Sequence, residues 1–213
     1  MRRYKVSSNR EYWNNVYDNI KNRKITYDLW LDKYNDILEK SKDTNIIDLG
    51  CGSGNNSVYL SERNYKVISC DYSIEALNIV KKYINNSNIV EMDLTREFPF
   101  EDAIAEIIIA DLSLHYFDDY TTKKILNEIK RVLKPEGYLI ARINTINDVN
   151  FNACNGKEIE RYFYLTKDGY KRFFDYGDVK KYFGVFEIER AEETVMNRYG
   201  AEKKCFEVLC KNR

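Results

Sequence analysis

The stretch Asn45-Ile-Ile-Asp-Leu-Gly-Cys-Gly-Ser-Gly54 decides how this chain is read. Its first five residues form a short apolar run with the length of a buried strand, and the run opens directly into three glycines at alternate positions. Glycine admits backbone angles closed to other residues and lets the chain approach a ligand with no Cβ in the way. Residues 55–63 follow with helical character. Strand, glycine loop and helix in that order begin an α/β unit whose ligand lies at the loop. On its own, such a loop is also consistent with a tight turn that binds nothing.

Working outward, apolar runs keep alternating with segments of helical period. Residues 9–20 and 28–40 are expected as helices, with Trp30, Tyr34, Ile37 and Leu38 on one face. Tyr65–Cys70 reads as a second strand closed by Asp71. Ser73 then caps a helix whose stripe is Ala76, Leu77, Val80 and Ile84. Asn88–Glu91 and Ile104–Ala110 are the third and fourth strands. Ile125, Leu126, Ile129, Val132 and Leu133 mark a helix stopped at Lys134-Pro-Glu-Gly137, and Tyr138–Ile143 is the fifth strand. Two aromatic-rich runs, Glu158–Leu165 and Tyr170–Phe174, flank the turn signal Asp168-Gly169. Gly177–Phe183 is a short helix, and Val185–Arg190 and Cys205–Lys211 are the last strands. The expected fold class is α/β: a doubly wound, mostly parallel seven-stranded sheet with an antiparallel last strand and helices on both faces, in one domain over 1–213.

In such a sheet ligands bind at the carboxyl ends of the strands. Four strand ends carry an acid: Asp48, Asp71, Asp93 and Asp111. Asp71 lies about 20 residues past the loop, where an acid accepts hydrogen bonds from ribose hydroxyls. The loop itself is G-x-G-x-G. The dinucleotide pattern G-x-G-x-x-G is not met, because Asn55 and Ser57 are not glycine, and no phosphate-cradling G-x-x-x-x-G-K-[ST] occurs.

Composition narrows the classes further. Lys+Arg and Asp+Glu both total 34, so the basic excess of a dedicated nucleic-acid binder is missing and a nucleic-acid partner is not expected. The five cysteines include no CxxC pair and there is one histidine, so no metal site is expected. Scattered free thiols, two of them in apolar runs, suit a reducing cytoplasm. The start Met1-Arg-Arg-Tyr-Lys leads into no apolar stretch, so neither a signal peptide nor a membrane partner is expected.

Taken together, I-I-D-L-G-C-G-S-G-N, C-D-Y-S, M-D-L, A-D-L-S-L-H-Y-F and V-L-K-P-E-G-Y-L-I resemble the class I S-adenosylmethionine-dependent methyltransferases over about residues 44–146. The later strands suit that family's final hairpin, and the tail most resembles its small-molecule members of the tellurite-resistance type. The resemblance implies a Rossmann-like methyltransferase fold with four parts: a helical lid at 1–40, a cofactor-binding core at 44–146, a hairpin insertion at 150–176 over the acceptor pocket, and a C-terminal helix and strands at 177–213. It implies S-adenosyl-L-methionine as cofactor and S-adenosyl-L-homocysteine as product. Gly50, Cys51, Gly52 and Gly54 would pass under the methionine moiety, with Asp48 near its amino group. Asp71 would hold the ribose and Tyr72 would pack on the adenine. Asp93 and the Leu94 N–H would meet the adenine edge, while Asp111 and Leu112 would line the methionine end. The segment Glu11–Tyr17 resembles the family's leading helix, which makes Trp13 and Tyr17 lid candidates; core packing at i and i+4 accounts for them equally well.

His115 is the only imidazole and falls just past the fourth strand, where the acceptor is expected. It is a candidate general base, although a pocket-lining role accounts for it more simply. Tyr116, Arg142, Tyr162 and Tyr164 are the other acceptor-binding candidates. The expected function is transfer of a methyl group to a small-molecule acceptor by a monomer or homodimer. RNA or protein methylation, a non-catalytic cofactor-binding module and a nicotinamide oxidoreductase are the competing readings.

Overall fold

The run Asn45–Leu49 forms β1 and sits inside a parallel array, with its last four residues buried, Asp48 among them. The structure is a computed structural model that describes residues 10–198 and 200–213. Residues 1–9, which include the first positions of the expected lid and the basic start Met1–Lys5, lie outside the described residues.

The chain enters through α1 (Arg10–Ile20) and a mixed segment in which 3₁₀ turns at Trp30–Tyr34 and Glu39–Ser41 flank the four-residue α2 (Asn35–Leu38). One regular helix was expected over 28–40; no side chain caps either N-terminus here, so the orphan donors are met by the tighter 3₁₀ bonds. Trp30, Tyr34 and Leu38 are buried on one side as expected, while Ile37 is half-buried.

After β1 come α3 (Asn55–Glu62), β2 (Lys66–Asp71), α4 (Ile74–Tyr83), β3 (Asn88–Glu91), β4 (Ala105–Asp111), α5 (Asp119–Val132) and β5 (Leu133–Asn144). Ser73 caps α4 through Ala76 N–H at 3.3 Å, as its position before the apolar stripe implies. The fifth strand begins at Leu133, not Tyr138. Leu133 already pairs with Ala105, and the strand passes Lys134-Pro-Glu-Gly137 as an irregularity with Glu136 at φ +67°. Such a bulge tolerates a proline that a regular ladder would reject.

Between the fifth strand and the last helix lies a small antiparallel meander of β6 (Lys157–Glu160), β7 (Phe163–Thr166) and β8 (Gly169–Arg172). The expected two-stranded hairpin is therefore three-stranded: Tyr162, at φ +56°, breaks the run 158–165 in two. The chain ends with α6 (Tyr176–Phe183), whose N-terminus is a capping box of Asp175 and Asp178, then β9 (Glu187–Met196) and β10 (Lys203–Lys211).

The seven long-range strands order as β3-β2-β1-β4-β5-β10-β9. β10 runs antiparallel to β5 and to β9, so it alone opposes the direction of the others. Side-chain alternation divides the interior between the two faces of the sheet. Ile46, Ile107, Ile109 and Ile140 pack with Trp30, Tyr34, Tyr59 and Val80 on one side. Ile47, Ile108, Leu139 and Ala141 pack with Ile125, Ile129, Val179 and Tyr182 on the other. Helices cover both faces, and the carboxyl ends of β1, β2 and β4 converge at one edge. Among the described residues, no helix is long and apolar enough to cross a membrane.

Candidate cofactor and acceptor site

Gly50, Gly52 and Gly54 all adopt left-handed φ, at +67°, +55° and +93°. A Cβ on Gly50 would lie 2.5 Å from Ser113 Cβ, and one on Gly52 would lie 2.6 Å from Tyr17 Oη. Glycine is thus required at Gly50 by both backbone angle and space, and at Gly52 chiefly by backbone angle, since the far end of the Tyr17 side chain can give way. The loop is pressed between α1 above and the segment after β4 beside it. Cys51 N–H donates to the Cys70 carbonyl at 2.9 Å, which joins the ends of β1 and β2.

These elements enclose a cavity of about 900 Å³. Its walls include Trp13 and Tyr17 from α1, Gly50 to Gly52, Asp71, Tyr72, Asp93 and Leu94 from the next two strand ends, and Asp111 to Ser113, His115 and Tyr116 from the fourth. Five dispersed stretches of sequence thereby meet at one place. Trp13 stacks on Tyr17 at 6.0 Å and meets Tyr116 edge-on at 5.4 Å, so the leading helix touches both the glycine loop and the loop after β4. The Arg10 guanidinium covers one face of Tyr72 at 4.6 Å and pairs with Glu91 at 2.6 Å, which anchors α1 to the end of β3.

The acids differ in their surroundings. Asp71 accepts Gly52 N–H and Ser73 N–H, each at 2.8 Å, and so ties the glycine loop to the start of α4. Burial raises its carboxyl above the usual range, with those backbone N–H groups opposing. Asp93 uses Oδ1 to accept from the Thr95 N–H and hydroxyl. Asp48 is fully buried beneath the loop and does not line the cavity. Burial pushes its carboxyl up to about 7, against a 2.7 Å hydrogen bond from Ser57 and with the Asp111 charge adding to the rise. Its Oδ1 has no hydrogen-bond partner. Gly54 likewise sits outside the lining, packed against Val80.

Asp111 faces the cavity but is claimed by two arginines. Arg142 Nε and Nη2 reach its two oxygens at 2.7 Å each, and Arg198 Nη1 adds a third bond at 2.8 Å. Burial alone would raise this carboxyl; the charges of Arg142 and Arg198 outweigh it and hold it down at about 2. Both arginines also bind Asp28, at 2.7 and 2.6 Å.

This network corrects the expectation for Arg142. The side chain is 1% exposed, lies over Trp30 at 4.1 Å and does not reach the cavity; Arg198 lines the wall in its place. Tyr162 and Tyr164 are displaced too. Tyr164 packs edge-on against Phe173 and donates to Glu158, while Arg161 covers Tyr162. The meander instead turns the end of β7 and the start of β8 to the cavity, with Leu165, Tyr170 and Lys171 on its wall around the turn at 167–169. Arg172 seats it there: its backbone N–H bonds the His115 carbonyl at 2.7 Å, and its Nε bonds the Phe117 carbonyl at 3.0 Å.

His115 is 3% exposed, in contact with Tyr116 at 4.4 Å. Burial, then the charges of Lys203 and Lys171, hold its imidazole well below the ordinary range, so it is neutral near pH 7. Its Nδ1 has no partner. Leu112, just before it, has φ +57° with its N–H bound to the Arg142 carbonyl at 2.9 Å, a left-handed non-glycine residue at the cavity wall. Ser113, Asn144, Arg198 and Lys203 are wall residues that sequence reading did not single out. Asn144 was within reach of the strand-end rule, which stopped at the fourth strand. Arg198 and Lys203 carry no sequence signal, because only the β9–β10 ladder brings them back to the site. Among the described residues no group of metal-ligating side chains gathers.

The cradle fits S-adenosylmethionine. Two glycines are held where a Cβ would collide, Asp71 and Asp93 line the same cavity, and several buried polar atoms are left for a ligand. The comparisons agree. Residues 47–141 match the family described as "Methyltransferase domain". The fold around that methyltransferase domain is that of the S-adenosylmethionine-dependent methyltransferases.

The domain is similar to a tRNA N(3)-methylcytidine methyltransferase of Drosophila melanogaster, at 30% identity over 61% of this chain and 43% of that protein. A second enzyme with that name from Schizosaccharomyces pombe is 28% identical over 92% of this chain and 88% of its own length. The chain spans about half the length of the first curated relatives it matches, at 43%, 53% and 47%. In fold it is similar to a SAM-dependent methyltransferase from Methanosarcina mazei, with a TM-score of 0.74, 21% identity, and 87% and 98% of the two chains covered.

Proposed function

We propose that the chain transfers the methyl group of S-adenosylmethionine to a small acceptor held between the loop after β4 and the meander. The observation that carries this reading is the cavity beneath α1 and β6–β8. Its volume of about 900 Å³ has room for a cofactor and a modest second molecule, since pockets for drug-sized ligands run from roughly 300 to 1,000 Å³. Gly50 to Gly52, Asp71, Tyr72, Asp93 and Leu94 would hold the cofactor. When bound, S-adenosylmethionine supplies an electrophilic methyl on a sulfonium, and loss of that methyl leaves neutral S-adenosylhomocysteine.

The chain's own work is then to exclude water and align the acceptor. Trp13, Tyr17 and Tyr116 close the cavity over the glycine loop. Neutral His115, with Nδ1 unpaired, is suited to accept a hydrogen bond from the reacting hydroxyl or amine and so to orient it. The lid helix, the meander and the glycine loop together favour an acceptor that enters whole.

The RNA reading has its own support in the two relatives named as tRNA N(3)-methylcytidine methyltransferases. Such an acceptor would have to be turned out of its stack to enter this cavity. Incubation with methyl-labelled S-adenosylmethionine and, separately, a metabolite extract and total RNA distinguishes the two. Label in a low-mass product supports the small-acceptor reading. Label in RNA alone replaces it, and binding of S-adenosylhomocysteine with no label in either favours a non-catalytic module.

A further inference from the structure

The part of the cavity wall that follows β4 and β5 is polar in an unusual way. His115 Nδ1 and Asn144 Oδ1 belong to side chains that are each 3% exposed, both line the cavity, and neither atom has a hydrogen-bond partner. Buried polar atoms are almost always satisfied, so two orphans on one wall mark the place of a ligand's own donors and acceptors.

The charged residues beside them are arranged to match. Lys203 lines the cavity with 8% of its side chain exposed, and its counter-ion Asp148 is fully buried and lies outside the lining. Asp148 spends its other oxygen on the Lys204 N–H at 3.0 Å. An ammonium has three donors and only one is spent on Asp148. Lys171, from β8, lines the same region and meets Asp168 at the rim, at 3.3 Å. Both ammonium groups lie close enough to His115 to act on its charge. The neighbouring wall is aromatic: Phe151, on which Lys203 sits at 4.8 Å, with Tyr116 and Tyr170.

We infer that the methyl acceptor is a small aromatic or heteroaromatic acid, its anionic group held by Lys203 and Lys171 and its reacting O–H or N–H directed at His115 and Asn144. The ring lies among Tyr116, Phe151 and Tyr170. This rests on the proposed methyl-transfer site and adds the class of its second substrate. Lys203 comes from β10, inside the sheet, and Lys171 from the meander, so the acid would bridge the two parts of the structure.

The test is binding to the full chain saturated with S-adenosylhomocysteine, by calorimetry, using two acids each matched with its uncharged amide: 4-hydroxybenzoate and 4-hydroxybenzamide, anthranilate and anthranilamide. The acids are expected to bind about ten-fold more tightly than their amides, the scale of one charge-assisted contact. Lys171→Met, and Lys203→Met combined with Asp148→Asn to avoid stranding a buried carboxylate, are each expected to remove most of that preference. Affinity for S-adenosylhomocysteine is expected to be unchanged in Lys171→Met. Equal binding of acid and amide, no binding of any acid, or a preference that survives in Lys171→Met overturns the inference. Failure of S-adenosylhomocysteine to bind the unaltered chain would instead remove the proposed function beneath it. Should the paired variant not fold, Lys171→Met alone decides.

Discussion

Arg142 grips Asp111 with two parallel hydrogen bonds, Nε to Oδ1 and Nη2 to Oδ2, both 2.7 Å long, at the point where β5 and β4 pair side by side. The two side chains are 1% and 4% exposed, and Arg198 and Asp28 complete a four-membered network around them. This pair fixes the strand end from which Leu112, Ser113 and His115 depart.

Breaking that network should therefore be costly. Arg142→Met is expected to destabilise the chain by about 3–5 kcal/mol, because it strands a buried carboxylate. Arg142→Lys is expected to recover little, since an ammonium cannot reproduce the two-pronged geometry. Urea unfolding of both variants measures this, and a loss within about 1 kcal/mol for either would show that Arg198 suffices to compensate Asp111.

The glycine loop offers a contrast within one chain. Gly50→Ala and Gly169→Ala both place an alanine at positive φ, +67° and +103°, but only the first meets an obstacle, Ser113 Cβ at 2.5 Å. Gly169→Ala is expected to cost about 1 kcal/mol in stability with cofactor affinity retained. Gly50→Ala is expected to cost more and to weaken S-adenosylhomocysteine binding by about ten-fold or greater. Melting curves and calorimetry on the pair separate backbone strain from collision.

Asp48 sets a pH dependence of definite sign. Its folded-state carboxyl is raised to about 7 by burial, so the folded chain holds a proton that the unfolded chain releases near 4. Stability is therefore expected to fall as pH rises from about 4 through 7, by an amount on the order of 4 kcal/mol from this group. Asp48→Asn should flatten that slope and leave the variant relatively more stable at pH 8. Asp111 acts in the opposite sense: its carboxyl, held at about 2, contributes stability above pH 4 that is lost as pH falls toward 2. Denaturant titrations of the wild type and Asp48→Asn between pH 4 and 8 read the first effect, and a slope identical in both would remove it.

His115→Asn tests the hydrogen-bond acceptor. The expected result is a fall in kcat of about 10²-fold or more with S-adenosylhomocysteine affinity within about two-fold of the original. A rise in acceptor KM with kcat retained would assign the imidazole to acceptor binding alone.

Removing the Trp13 ring should loosen the lid. α1 buries no residue fully and is held over the loop by the edge-on contact of Trp13 with Tyr116 and by the Arg10 contacts to Glu91 and Tyr72. Trp13→Ala is expected to speed S-adenosylhomocysteine release by about ten-fold while changing global stability by less than about 1 kcal/mol. Stopped-flow release and urea unfolding distinguish this from simple core packing, which would lower stability instead.

Much of this was legible in the residues. The buried strand at Asn45–Leu49, the glycines after it and the spaced acids follow from local rules: apolar runs need two covered faces, and positive φ with close approach needs glycine. Ser73 announced its cap for the same reason, since its hydroxyl acts three residues away. Local rules failed where a long-range partner decided. Leu133 to Gly137 looked like a helix stop but joins β5, because the ladder with Ala105 and Asn212 outweighs the proline signal.

The sequence by itself determined the layer architecture and the glycine loop at the end of the first strand, and its family resemblance implied the cofactor. The first two depend on side-chain period and on residues within a few positions of one another. Only the tertiary structure decided that Arg142 turns inward to Asp111 while Arg198 takes its place, that Tyr170 and Lys171 rather than Tyr162 and Tyr164 face the cavity, and that Asn144 and Lys203 stand beside His115. Each of those outcomes depends on a partner more than 20 residues away, and on charge pairing and strand register that no local pattern encodes.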